Sequence, residues 1–293
     1  MGQSRTSVTI RHGREYALYC IAFALLSFFS NPAIGQTHWS IVNRPSFGTA
    51  KHINPYFLNE NIGFIFVTTD PMPFYKTTNG GTSWTAVGIP AVVINQIYFI
   101  SISHGYIAAS SGVLETTDTG TTWKNIYPGT YTYSVYAAGN TVFATTGTYN
   151  VVLTQNDGKK WDLQTPRGSY LIGNKDSLVF ATGVSSILWY STDNGKDWDS
   201  NSLDLATQSV YCFPHCNELL KTTLVGDLDP VTYSLDYGKK WLLTSLLNPE
   251  LAVWFGGSSC ATYICNALNS GLYRSVDRGF TWVSVPGPNF KEL

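Results

Sequence analysis

The sequence predicts an all-β chain built from six repeated, four-stranded antiparallel blades. Three observations carry that expectation. A short phrase, Ser/Thr-x-Asp/Asn-x-Gly-x-x-Trp, occurs six times and ends at Trp84, Trp123, Trp161, Trp198, Trp241 and Trp282. Successive tryptophans stand 39, 38, 37, 43 and 41 residues apart, and a period near 40 filled with short strands is the mark of a β-propeller. With 13% charged residues, 14% aromatics and 26 glycines, the composition suits strands and tight turns rather than helices.

The first 35 residues read as a targeting segment. Arg5, Arg11 and Arg14 form a basic leader, an apolar run extends from Tyr16 to Phe29, and Ala33-Ile34-Gly35 puts small residues where a signal peptidase reads. A secretory signal cleaved between Gly35 and Gln36 is expected. An uncleaved anchor is the alternative, but the run is roughly 14 residues long against the ~20 that span a bilayer. Cys20 lies inside the run without a small residue before it, which argues against a lipoprotein signal. Residues 36–293 are expected to form one propeller domain that is secreted, periplasmic or on the cell surface, monomeric, and without a further membrane span. The net charge of −1 gives no electrostatic case for nucleic acid or an anionic membrane.

Four cysteines lie beyond the leader: Cys212, Cys216, Cys260 and Cys265. An even count in an exported chain favours disulfides. The close spacings suggest Cys212–Cys216 and Cys260–Cys265, although three pairings are open. A zinc site using His215 is the sharper alternative, and its spacing fits no familiar finger. No metal or other cofactor is expected.

The periods divide into strand-like runs separated by glycines or polar turns. The second holds Val92–Ser101, Tyr106–Ser110, Val113–Thr117 and Trp123–Tyr127. In the third, Tyr133–Ala138, Thr141–Thr145 and Val151–Thr154 take the first three places. The fourth has Tyr170–Ile172, Leu178–Thr182 and Ile187–Ser191, and the fifth Ser209–Phe213, Leu219–Val225 and Val231–Ser234. In the sixth the same parts fall to Leu251–Phe255, Thr262–Ala267 and Leu272–Ser275. Trp39-Ser-Ile-Val-Asn43 reads as a fourth strand without the three that precede it. It leaves seven blades, one of them incomplete, as the alternative to six.

Each phrase joins the third strand to the fourth and must reverse the chain. Its Asp or Asn can accept backbone N–H bonds, its glycine can take a positive φ, and its tryptophan can wedge against a neighbouring sheet. The copies carry Asn79, Gly81 and Trp84; Asp118, Gly120 and Trp123; Asn156, Gly158 and Trp161; Asp193, Gly195 and Trp198; Asp236, Gly238 and Trp241; and Asp277, Gly279 and Trp282. Read as chemistry, six acidic or amide groups suggest catalysis or metal binding. Repetition at equal intervals favours a hairpin staple.

These phrases resemble the Asp-box, or BNR, repeat, with Asn79 and Asn156 departing at the acidic position. The repeat occurs in sialidases, xyloglucan hydrolases, sortilin-like receptors and the photosystem II assembly factor family. The resemblance implies a β-propeller and leaves activity open.

In a four-stranded blade the 1–2 and 3–4 turns share one face, which puts all six boxes on a lower rim. The upper face then holds the candidates for binding: Arg44, Lys51, His52, Asp70, Tyr127, Tyr131, Tyr149, Arg167, Tyr170, Asp227 and Asp229. The sialidase resemblance implies a three-arginine clamp. Of the arginines after the leader, Arg44 and Arg167 are suitably placed, Arg274 lies in a third strand and Arg278 inside a box. That chemistry is therefore not expected. A two-carboxylate glycosidase could use Asp70 with Asp227 or Asp229, but each also fits a turn-capping role. No catalytic residue is assigned. The expected function is a non-catalytic module that binds a protein or glycan, with a glycoside hydrolase as the alternative.

Overall fold

A computed structural model describes residues 53–67, 73–90, 93–168, 170–173, 179–182, 186–203, 207–212, 218–223, 231–244, 252–258, 261–266, 272–277 and 279–285. Blade one contains β1 (Ile53–Phe57), β2 (Gly63–Val67), β3 (Phe74–Thr77) and β4 (Thr85–Ala86). Blade two contains β5 (Ile94–Phe99), β6 (Gly105–Ala109), β7 (Gly112–Thr116) and β8 (Lys124–Pro128). Blade three contains β9 (Thr132–Ala138), β10 (Thr141–Thr146), β11 (Asn150–Thr154) and β12 (Asp162–Arg167). Blade four contains β13 (Tyr170–Gly173), β14 (Val179–Thr182), β15 (Ile187–Ser191) and β16 (Asp199–Ser202). Blade five contains β17 (Thr207–Cys212), β18 (Leu219–Thr223), β19 (Val231–Ser234) and β20 (Leu242–Leu243). Blade six contains β21 (Ala252–Ser258), β22 (Ala261–Asn266), β23 (Leu272–Ser275) and β24 (Val283–Val285).

Every sheet pairs its four strands in chain order and antiparallel. The six-blade expectation is thus met by six complete sheets, each ending in its own fourth strand. The segment at residues 39–43, on which the seven-blade alternative rested, lies outside the described residues, as does the leader. First strands neighbour one another from blade to blade: β9 packs on β5 and β13, and β17 on β13 and β21. They are therefore innermost, and the fourth strands form the outer edges. Among the described residues no helix is long and apolar enough to cross a membrane.

Each box folds around one hydroxyl. Thr116 Oγ1 donates to Asp118 Oδ1 at 2.8 Å and accepts from the Gly120 N–H at 2.9 Å, while Asp118 Oδ1 accepts from the Thr122 N–H at 2.9 Å. The same three bonds recur in every copy. Ser191, Asp193, Gly195 and Asp197 form them at 2.8, 2.7 and 3.0 Å, and Ser234, Asp236, Gly238 and Lys240 at 2.9, 2.8 and 2.9 Å. Ser275, Asp277, Gly279 and Thr281 form them at 2.8, 2.7 and 2.8 Å. The amide copies keep the pattern, with Thr77 and Asn79 at 3.0 Å and Thr154 and Asn156 at 2.9 Å. An amide oxygen accepts in the same geometry as a carboxylate oxygen, so the Asn departures leave the turn intact.

The turn also needs two left-handed residues. Gly120 has φ 73°, and Thr119 before it has φ 62°. Asp157, Asn194 and Tyr237 hold that preceding position at 55°, 60° and 62°. The sequence pattern predicts positive φ at the glycine alone. The turn then presses its glycine onto the preceding blade: a methyl group on Gly120 would sit 2.5 Å from Phe64 Cζ, and one on Gly195 2.5 Å from Phe143 Cε1.

The tryptophans wedge as expected, with two corrections. Each stands just before its fourth strand rather than in it, and in two copies the indole is tied back into the turn. Trp123 Nε1 donates to Gly120 O at 3.2 Å, and Trp282 Nε1 to Gly279 O at 2.9 Å. Trp123 is buried between Phe74 of blade one and Phe99 of blade two, at 6.2 and 6.0 Å between ring centroids. Trp161 reaches Ile126 O across the blade boundary at 3.1 Å, and Trp198 meets Phe143 edge-on at 6.3 Å. Those two, with Trp241 and Trp282, are only half-buried, and Trp84 meets Phe57 of its own blade at 6.1 Å.

Polar groups link the inner strands as well. Gln96 Oε1 accepts from the Val135 N–H at 2.8 Å, and Ser134 Oγ, one blade on, accepts from the Leu171 N–H at 3.0 Å. Tyr56 Oη accepts from the Phe99 N–H at 3.1 Å, and Tyr98 Oη donates to Ala137 O at 3.3 Å. The first strand of one blade thereby satisfies backbone groups of the next.

Gly120→Ala is expected to destabilise the chain by on the order of 3 kcal/mol in urea denaturation, combining the left-handed penalty with overpacking. Gly129 has φ 83° with nothing within 4 Å of an added methyl group. Gly129→Ala should therefore show only the backbone share, about 1–2 kcal/mol; equal losses would mean that the box glycine does not pack against Phe64. Acid provides a second check. The Thr122 hydroxyl and N–H hold Asp118 at about 2, and the Asp197 and Lys240 N–H groups lower Asp193 and Asp236. A carboxyl depressed on folding stabilises the fold above its unfolded value and loses that contribution as pH falls through the folded one. Thermal melts should hold steady above about pH 4 and decline toward pH 2, less steeply in Asp118→Asn.

Candidate functional site: the upper face of blade three

Among the described residues charge is sorted between the two faces. The described lower-rim turns carry Glu60, Asp118, Asp157, Lys159, Lys160, Asp193, Lys196, Asp197, Asp236 and Asp277 among others. The described turns and blade connections of the upper face carry one charged side chain, Arg167 at the end of β12. The six boxes all lie on the lower rim, as the strand plan required.

At the top of blade three, three tyrosines meet. Tyr133 on β9 and Tyr149 in the β10–β11 turn stack with centroids 5.5 Å apart and planes within 8°. Tyr131 meets Tyr133 edge-on at 5.1 Å. Its hydroxyl donates to Asn95 Oδ1 at 3.0 Å, and Asn95 Nδ2 donates to Thr132 O at 2.6 Å. The amide of blade two therefore fixes the edge-on ring. Tyr149 is 40% exposed and holds φ 63°, an uncommon conformation for a bulky residue. Its backbone is pinned on both sides, the N–H donating to Thr146 O at 2.8 Å and the carbonyl accepting from the Gly168 N–H at 2.9 Å. Arg167 is exposed and donates from Nη2 to Thr148 O at 3.1 Å, which sets the guanidinium beside the same turn.

The repeat supplies an internal comparison. The Ser110 N–H donates to Val93 O as the Gly147 N–H donates to Tyr131 O, and the Gly129 N–H reaches Ser111 O as Gly168 reaches Tyr149 O. Val93, Asn95 and Ser111 of blade two thus occupy the places of Tyr131, Tyr133 and Tyr149. The scaffold is built without aromatic rings at those three positions. Their presence in blade three is a local addition.

Of the upper-face candidates, the structure brings Tyr131, Tyr149 and Arg167 together. Tyr170 opens β13 on the same face and is half-buried. Tyr127 is a correction: its ring packs on Trp161 at 4.7 Å and belongs to the contact between blades two and three. Tyr133, which the strand pattern assigns only to a first strand, is the residue that pattern misses. Arg274 lies within β23, as expected. Arg44, Lys51, His52, Asp70, Asp227, Asp229 and Arg278 lie outside the described residues, as do Cys216 and Cys260. Cys212 and Cys265 are placed on β17 and β22 by their backbone alone. No pairing of the cysteines is assigned.

A second polar cluster lies on the lower rim. His104 Nε2 stands 2.9 Å from both Glu115 Oε1 and Tyr106 Oη, and burial together with the Glu115 charge pushes the Tyr106 hydroxyl far above its ordinary value. No group of described His, Cys, Asp or Glu residues is arranged to hold a metal ion.

Solved structures share this architecture. YCF48 bound to D1 peptide is 18% identical, with a TM-score of 0.57 over 78% of this chain and 80% of that one. YCF48 from Cyanidioschyzon merolae is 13% identical, with a TM-score of 0.57 over 80% and 84%. The GH74 xyloglucanase from Xanthomonas campestris is 14% identical, with a TM-score of 0.57 over 75% of this chain and 43% of that one. The chain resembles Asp-box propellers. At such identities the likeness is one of fold. No protein-family model matches the chain, and no curated protein sequence does.

If the tyrosines are additions to the scaffold, Tyr149→Ser should leave stability within about 0.5 kcal/mol of the parent chain. Tyr127→Ala should cost about 2 kcal/mol through its lost packing on Trp161. Paired urea titrations check both, and a large loss at Tyr149 would give that ring a structural role.

Proposed function

We propose that the chain is a secreted, monomeric, non-catalytic propeller that binds a segment of another protein on its upper face. The observation that carries this reading is the tyrosine cluster of blade three. Tyrosine supplies a large, rigid contact area with a polar tip and loses little side-chain freedom on binding, which suits recognition surfaces. Here three of them gather where the neighbouring blade has Val93, Asn95 and Ser111. The fold likeness to YCF48, solved with a D1 peptide, supports a protein segment over a glycan as the ligand.

The second reading is a glycoside hydrolase, favoured by the fold likeness to the GH74 xyloglucanase. This chain spans less than half of that enzyme. The reading requires an acid and a base or nucleophile at glycosidase separations, roughly 5–10 Å, from Asp70, Asp227 or Asp229.

An array of unrelated peptides and oligosaccharides, probed with residues 36–293, separates the two. Peptide capture that falls at least tenfold in Tyr149→Ser is expected. Xyloglucan turnover that disappears in Asp70→Asn or Asp227→Asn would overturn the binding-module reading.

A further inference from the structure

The tyrosine cluster is selective by its chemistry, and the ligand class it implies rests on the peptide-binding reading of this face. Asn95 is committed to Tyr131 Oη and Thr132 O, so its amide holds the shelf together. Of the five donors of Arg167, the Thr148 carbonyl takes one. The rest of that guanidinium is exposed beside Tyr149, and it is the one charge on the described turns of the upper face.

We infer that the shelf takes an extended acidic peptide, one that lays a proline or aliphatic side chain across Tyr149 and brings a carboxylate to Arg167. The Arg167 guanidinium is exposed and cationic, and the ligand group complementary to it is an anion. Carboxylate and guanidinium pair in a fork geometry that also fixes orientation. The aromatic shelf accounts for the peptide's form, because an extended segment leaves its backbone groups unpaired and offers flat side chains to aromatic surfaces. The turn at Tyr149 is pinned before any ligand arrives, which lowers the ordering cost of binding.

The test uses residues 36–293 and two pooled, fluorescein-labelled octapeptide libraries. Both hold proline at two central positions; one fixes Glu at a third, the other Gln. In low-salt anisotropy titrations the Glu pool should bind about threefold to fivefold tighter, the range of an exposed ion pair. Arg167→Gln should abolish that preference, and Tyr149→Ser should weaken both pools at least tenfold with an unchanged melting curve. Equal binding of the two pools, or a preference that survives Arg167→Gln, overturns the acidic ligand. In that case loss of both pools in Tyr149→Ser would still uphold the broader peptide reading. Binding of neither pool also overturns the inference, and the broader reading falls with it only if the unrelated peptides of the array are not captured either.

Discussion

One hydroxyl in each blade carries the architecture. A Ser or Thr at the end of the third strand donates to the Asp or Asn two residues on and accepts from the glycine N–H four residues on. These bonds close the turn from within. They also bring two successive left-handed residues into register, and so aim the box glycine and tryptophan at the preceding blade. A box that failed to close would lose more than its own bonds, each with a net value of about 1 kcal/mol. It would withdraw the glycine from Phe64 or Phe143 and the indole from its wedge.

Around that turn the blades depend on one another. The buried faces are shared, as in the aromatic group of Phe64, Phe74, Phe99 and Trp123 across blades one and two. The inner strands trade side-chain bonds for the next blade's backbone through Gln96, Ser134, Tyr56 and Tyr98. Unpaired inner-strand amides would be costly in a buried position. Gln96, Ser134, Tyr56 and Tyr98 prevent it at the groups they reach.

Turn closure and the tyrosine shelf lie on opposite faces of the described structure. Turn closure concentrates carboxylates on the lower rim, where hydrogen bonds to Thr122 and to backbone N–H groups hold them ionised. The upper face is free of that duty. It is there that blade three carries a tyrosine shelf beside Arg167 where blade two has Val93, Asn95 and Ser111.

How much of this was legible depends on the range of the forces. Thr116, Asp118, Gly120 and Trp123 lie within eight residues of each other, and their turn is closed by short-range bonds. Their roles could be read from spacing, and six repetitions located the strands around them. The left-handed Thr119 and Tyr237 were not legible, since neither residue type favours that conformation and only the closed turn imposes it. Tyr127 and Tyr149 looked alike in the sequence, both read as upper-face candidates in an aromatic-rich chain. One turned out to be packing and the other exposed surface, because Trp161 comes within 4.7 Å of the first from 34 residues away. The sequence by itself determined the fold class, the blade period and the lower rim, all of which stem from local hydrogen bonding and strand alternation. Only the tertiary structure decided which tyrosines gather with Arg167, because that grouping joins β9, the β10–β11 turn and β12 through contacts no local pattern encodes.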